Sequence, residues 1–266
     1  NLLGKVKPEE LVSYIEQKVL TDIQKDYDGV EVDGSFDEVL IHTVEHTGSP
    51  FIMIIDEWDA PIRETPEIES EYLKFLRMLF KGSGTTSRIF AAAYMTGILP
   101  IKKYGTHSAL NMFGEYSMTS PKIFAEYIGF TEDEVKVLCS RYQMDFETMK
   151  SWYDGYSFEQ TKHIYNPNSV VKSMLDGECN NYWTSTETYE SLKNYISMNF
   201  DGLKDSVIEM IAGGRCKIDT NTFENDMVSF QSRDDVLTVL VHLGYLAYDG
   251  KTEEVSVPNE EVRGAF

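Results

Sequence analysis

At 266 residues the chain is long enough to bury a real core as one large domain or two small ones, and 42% hydrophobic with 12% aromatic residues excludes a disordered chain. Its formal charge of -20, from 44 acidic and 24 basic residues, repels phosphate backbones, so nucleic acid binding through the general field is not expected. Cys139, Cys179 and Cys216 lie far apart and form no CxxC pair, which supports neither a zinc site nor a disulfide framework.

Pro8-Glu9-Glu10 reads as a helix first turn, with proline where its missing N–H costs nothing. Leu11, Ile15, Val19 and Ile23 continue it as an apolar stripe. Ser35-Phe36-Asp37-Glu38 fits a capping box, opening a second helix through Phe36, Leu40 and Val44 to Gly48. The unbroken apolar run Phe51–Ile55 then predicts a strand buried on both faces of a parallel sheet, followed at once by Asp56-Glu57-Trp58-Asp59. A helix is predicted over Glu69–Lys81, rich in Leu73, Phe75, Leu76, Leu79 and Phe80. Arg88–Met95 predicts a second buried strand, ending in Thr96-Gly97. Helix, strand, helix, strand is the pattern of a three-layer α/β domain.

After about residue 130 the texture changes. Thr131–Glu134 is another capping signature, Trp152–Tyr156 an aromatic turn that could stack a ligand but reads as packing around Gly155, and Asn166–Ser169 a further helix cap. Asp234–Leu243 predicts an apolar helix followed by a β-hairpin, as in winged-helix modules. No apolar stretch approaches the roughly 20 residues that span a bilayer, and no signal peptide is visible, so the expected setting is cytoplasmic. The chain begins at Asn1 rather than Met and is read as a processed or excised piece.

The chemically informative place is the strand end Ile54-Ile55-Asp56-Glu57. An acid at the carboxyl end of a buried strand can hold the water shell of Mg²⁺, and a following glutamate can polarise an attacking water. Acids also end strands simply to meet solvent, and both readings stay open on the residues alone. Thr96 would put a hydroxyl at the same sheet edge, where it could read a γ-phosphate or merely end a strand. The phosphate cradle GxxxxGK[ST] is absent from the 266 residues, and Gly82–Ser87 reads as a loop because it has no lysine and precedes a strand. His42-Thr43-Val44-Glu45-His46 has the spacing of an inverted zincin motif, but both histidines lie opposite the apolar stripe and read as water-facing.

FIMIIDEWDAPIRE, YMTGILPIKKYG, WYDGYSF, IYNPNSV, YWTSTETYESL, DDVLTVLVHLGYLAYD and VPNEEVR occur in this order. Together they resemble the bacterial AAA-ATPase-like family, whose members often carry a PD-(D/E)XK nuclease-like domain at the C-terminus. The resemblance spans from about Asn1 to Phe266. It implies a partial P-loop NTPase core with a parallel sheet over about 1–130, then a helical lid and winged-helix-like region over 131–266. It implies Asp56 as the Mg²⁺ residue acting through water, Glu57 as the catalytic residue and Thr96 as the sensor beside ATP, with ATP and Mg²⁺ as cofactors. Family members begin with a segment ending in an RPRRFGK[ST]-type loop that nothing here matches. The chain is therefore expected to start downstream of that loop, to bind ATP weakly or not at all, and to be inactive alone. The alternative is a nucleotide-independent protein-interaction scaffold derived from such an ATPase. Neither reading involves a membrane or nucleic acid, and neither identifies the protein partner.

Overall fold

The first half is organised around two parallel strands and the helices that flank them in the chain. The computed structural model describes residues 6–82, 84–98, 110–158, 161–183, 196–197, 200–223 and 230–266. They fall into two units, Asn1–Gly114 and Glu115–Phe266.

In the first unit a 3₁₀ turn at Pro8–Glu10 leads into α1 (Leu11–Asp26), followed by α2 (Phe36–Thr47). The capping box at Ser35 forms, Glu38 accepting the Ser35 N–H at 2.9 Å, and Gly48 ends the helix at φ +68, where glycine carries no Cβ penalty. Strand β1 (Phe51–Ile55), α3 (Ala60–Glu64), α4 (Glu69–Lys81), α5 (Thr86–Ile89) and β2 (Phe90–Met95) follow. Val39, Leu40, Leu73, Leu76, Leu79 and Ile89 form the centre of the core. Burying each such side chain contributes about 1.5–3 kcal/mol.

β1 and β2 pair in parallel, with Ile55 opposite Met95, and among the described residues neither has a second neighbour. The expectation that Phe51–Ile55 is buried on both faces is corrected here. Phe51, Met53 and Ile55 pack against the core, whereas Ile52 and Ile54 are 68% and 69% exposed. Their cross-strand partners Ala92 and Tyr94 are exposed as well. Side chains alternate along a strand, and among the described residues only one face of this pair is covered. The second strand also starts later than its apolar run suggests. Thr86–Ile89 closes a helical turn, with the Thr86 hydroxyl donating to the Leu79 carbonyl at 2.9 Å, so the strand begins at Phe90.

In the second unit a 3₁₀ segment at Lys122–Tyr127 precedes β3 (Phe130–Thr131), α6 (Glu132–Tyr142), α7 (Phe146–Tyr153), β4 (Tyr156–Phe158), β5 (Thr161–Tyr165) and α8 (Pro167–Asp176). Then come α9 (Leu203–Ile211), β6 (Cys216–Lys217), α10 (Arg233–His242), β7 (Ala247–Asp249), β8 (Glu254–Ser256) and α11 (Glu260–Arg263). The caps at Thr131 and Asn166 form as their residues predict. The strands make two antiparallel sheets, in the orders β3-β5-β4 and β6-β8-β7, so this half holds more strand than its sequence suggests. The part of YWTSTETYESL after Trp183 lies outside the described residues.

The aromatic turn is a packing device. Tyr153 is fully buried and its hydroxyl donates to the Asn180 carbonyl at 2.9 Å, while Tyr156 donates to the Gly244 carbonyl at 2.5 Å. Trp152 is only partly buried against the same core. The VPNEEVR segment closes the unit through Glu261, which is fully buried. Its Oε1 accepts from the Ser169 hydroxyl at 2.9 Å and from the Tyr182 and Trp183 amides at 2.8 and 3.0 Å. Burial pushes this carboxyl above its ordinary range.

At the surface of α6 the Glu132 carboxylate accepts from Lys150 at 2.7 Å and Lys136 at 2.9 Å. These donors, Lys150 foremost, lower its pKa from 4.5 to about 2. A carboxyl depressed in the folded state contributes stability above its unfolded pKa and loses it as pH falls through the folded one. Stability of the chain is therefore expected to fall between pH 4.5 and 2 partly through Glu132, by a small amount because the pair is partly exposed. Denaturant midpoints measured against pH for Glu132→Gln should be flatter over that window than for the wild type. Parallel curves would remove Glu132 from the acid response.

Candidate functional site

The ends of β1 and β2 meet at one hydroxyl. The ladder runs one step past both strands, with the Thr96 N–H donating to the Ile55 carbonyl at 2.9 Å and the Trp58 N–H to the Thr96 carbonyl at 2.8 Å. This sets the Thr96 side chain beside the first turn after β1. Its Oγ1 donates to Asp56 Oδ1 and accepts the Glu57 N–H at 3.0 Å. Glu57 sits at φ +52, a left-handed conformation that costs a non-glycine residue free energy and persists only when its surroundings hold it. The hydroxyl supplies part of that support.

The four residues Asp56–Asp59 divide by direction. Asp56 and Glu57 are exposed, while Trp58 and Asp59 are buried. Asp59 Oδ2 accepts Arg63 Nε at 2.9 Å across one helical turn, and Oδ1 accepts the Ile98 N–H at 3.4 Å. The other arm of the same guanidinium, Nη2, reaches Glu57 Oε2 at 3.3 Å. Burial, with the Asp59 charge adding to it, pushes the Tyr72 phenol up to about 12. Gly97 permits the close approach of β2 to this turn, since a Cβ there would lie 2.7 Å from Trp58 Nε1 and 2.8 Å from Asp59 Oδ1.

The structure thus brings Asp56, Glu57 and Thr96 together and adds Asp59, Arg63 and Gly97, which the sequence reading did not single out. The spacing of Asp59 and Arg63, four apart at the start of a helix, is the signal that could have found the first two. The rest of YMTGILPIKKYG after Ile98 lies outside the described residues, as does Ser83, and the segment Gly82–Ser87 expected to be a loop ends in helix, since Thr86 and Ser87 open α5. His42 and His46 are exposed on α2, and the Glu45 between them pairs with Arg88 at 2.6 Å.

Among the described residues no group of three or more His, Cys, Asp or Glu could hold a metal ion. Two exposed carboxylates at one edge still suit a hard cation that keeps most of its water, as Mg²⁺ does when its remaining ligands are phosphate oxygens. The donor set fits Mg²⁺ as an outer-shell partner.

Residues 6–106 match the model of the AAA-ATPase-like family, described as predicted AAA-ATPase. That stretch contains Asp56, Glu57, Asp59, Arg63, Thr96 and Gly97. No curated protein and no solved structure matches the chain.

Proposed function

We propose that this chain is part of an ATPase-derived module in which the ends of β1 and β2 form the Mg²⁺ and attacking-water side of a nucleotide site. The observation that carries the reading is the Thr96 hydroxyl bonded at once to Asp56 and to the Glu57 amide. It fixes two adjacent acids at the carboxyl ends of parallel strands, where open α/β sheets bind ligands. Asp56 would face Mg²⁺ through a water, Glu57 would take a proton from the attacking water, and Thr96 would act by holding Asp56, since its proton is already given to that carboxylate. Mg²⁺ bound to ATP supplies neutralisation of charge on the transferring phosphoryl group.

The cradle for the phosphates is not written in these 266 residues, which contain no GxxxxGK[ST] string. In this reading it is added by backbone outside them. Among the described residues the exposed face at Ile52 and Ile54 and the unpaired sides of β1 and β2 leave room for a further strand and a covering helix. The succession α9, β6, α10 and the β7–β8 hairpin, with sheet order β6-β8-β7, supports a winged-helix-like end. Every residue from Asp235 to Val241 of α10 is buried, so this helix has no free face for a nucleic-acid groove. The same bare face at Ile52 and Ile54 favours a second reading, a scaffold that binds another protein and no nucleotide.

Calorimetry separates them. Most nucleotide affinity in such sites comes from loop amides and a lysine on the phosphates. The chain as it stands is therefore expected to bind Mg·ATP no tighter than about 1 mM, roughly 4 kcal/mol. Joined to a phosphate-loop segment it should bind at micromolar concentration, and Asp56→Asn should weaken that binding about tenfold or more. Micromolar binding by the chain alone would overturn the division of the site. No binding even with the loop restored would favour the scaffold.

A further inference from the structure

Arg63 grips its two carboxylates unequally. Asp59 is buried and takes Arg63 Nε at 2.9 Å, with the Ile98 amide on its other oxygen, so this end of the guanidinium is anchored. Glu57 is 62% exposed along its side chain and meets Nη2 at 3.3 Å. That second contact is longer, wetter and exchangeable.

We propose that Arg63 is a built-in counter-cation that holds Glu57 while no divalent ion is present and yields it when one arrives, a resting latch on the site. The inference rests on the reading of Asp56 and Glu57 as the Mg²⁺ edge. A guanidinium and a hydrated divalent cation carry the same sign and compete for one carboxylate. Anchoring by Asp59 lets the arm release Glu57 without losing its place, so the latch can close again when the ion leaves.

Mn²⁺ serves as a hard divalent probe on the full 266-residue chain, its approach followed by paramagnetic broadening of the residue 57 and Thr96 amide resonances. Arg63→Gln removes the charge but keeps an amide donor for Asp59. It is expected to tighten Mn²⁺ binding at this edge about fivefold, the scale of one exposed charge contact. Glu57→Gln should cost little in the wild-type background and about fivefold in the Arg63→Gln background. Unchanged or weaker Mn²⁺ binding by a folded Arg63→Gln chain overturns the latch. Should that variant not fold, Glu57→Gln alone still decides. If it weakens Mn²⁺ as much as Asp56→Asn does, Glu57 is already open to the ion and no latch exists. An Asp56→Asn chain that binds Mn²⁺ like the wild type removes the Mg²⁺ edge itself, which is the failure of the functional reading and not of the latch alone.

Discussion

Glu57→Gln is expected to lower ATP hydrolysis about 10²–10⁴-fold in a protein that carries this segment together with a phosphate-gripping loop. The substitution keeps the side chain's size and leaves the backbone amide that bonds Thr96, so the turn at φ +52 has no reason to move. What it removes is the carboxylate that, in this reading, takes a proton from the attacking water. Nucleotide affinity should change little, because the phosphates are held elsewhere. Asp56→Asn should behave in the opposite sense, losing affinity before rate. Single-turnover phosphate release, read beside calorimetry on the same two variants, checks the division of labour. A rate loss below tenfold for Glu57→Gln would assign the water-polarising role to another residue.

Gly155→Ala should be the most damaging small substitution in the second unit. A Cβ at Gly155 would sit 2.1 Å from the Pro258 carbonyl oxygen, and its φ of +131 is one that side-chain-bearing residues rarely adopt. The carbonyl it would strike belongs to the segment that Asn259 ties back, its Nδ2 donating to the Asp154 carbonyl at 2.9 Å. Neither strand of backbone can give way without breaking that bond. Backbone strain and overpacking together should cost about 2–5 kcal/mol. Gly177→Ala is the control, since φ is +75 there but nothing lies within 4 Å of the added methyl. It should lose only the conformational part, about 1–2 kcal/mol. Equal urea midpoints for the two variants would mean that Pro258 moves aside.

These two effects also show what the residues alone could and could not say. Capping boxes at Ser35 and Thr131 and the cap at Asn166 are local chemistry, and the helices they open stand where those residues put them. The α4 helix was legible from its apolar spacing for the same reason. Asp56 and Thr96 could be picked out because each directly follows an apolar run, and Glu57 because it is the acid next to Asp56. Arg63 and Asp59 were not, because their meaning depends on how the turn after β1 folds back against Gly97. Phe51–Ile55 misled in the other direction. Five apolar residues in a row imply cover on both faces, and a strand's own sequence cannot say whether the second cover comes from the same chain. The short strands β3, β4 and β5 were missed because two to five residues carry too little periodicity to stand out from a turn.

The hydroxyl that joins Asp56 to Thr96 spans 40 positions of chain. Contacts of such high sequence separation form only after the intervening segment has paid its loop-closure entropy, and they come late in folding. On a ribosome, helices α1 and α2 can form while β2 is still unmade. In that interval both acids hang in water, Glu57 has no reason to adopt its left-handed turn, and the edge has no defined shape. In the proposed reading the edge therefore takes its shape only once β2 is in place, and a chain stalled before residue 96 holds Asp56 and Glu57 without the hydroxyl that joins them.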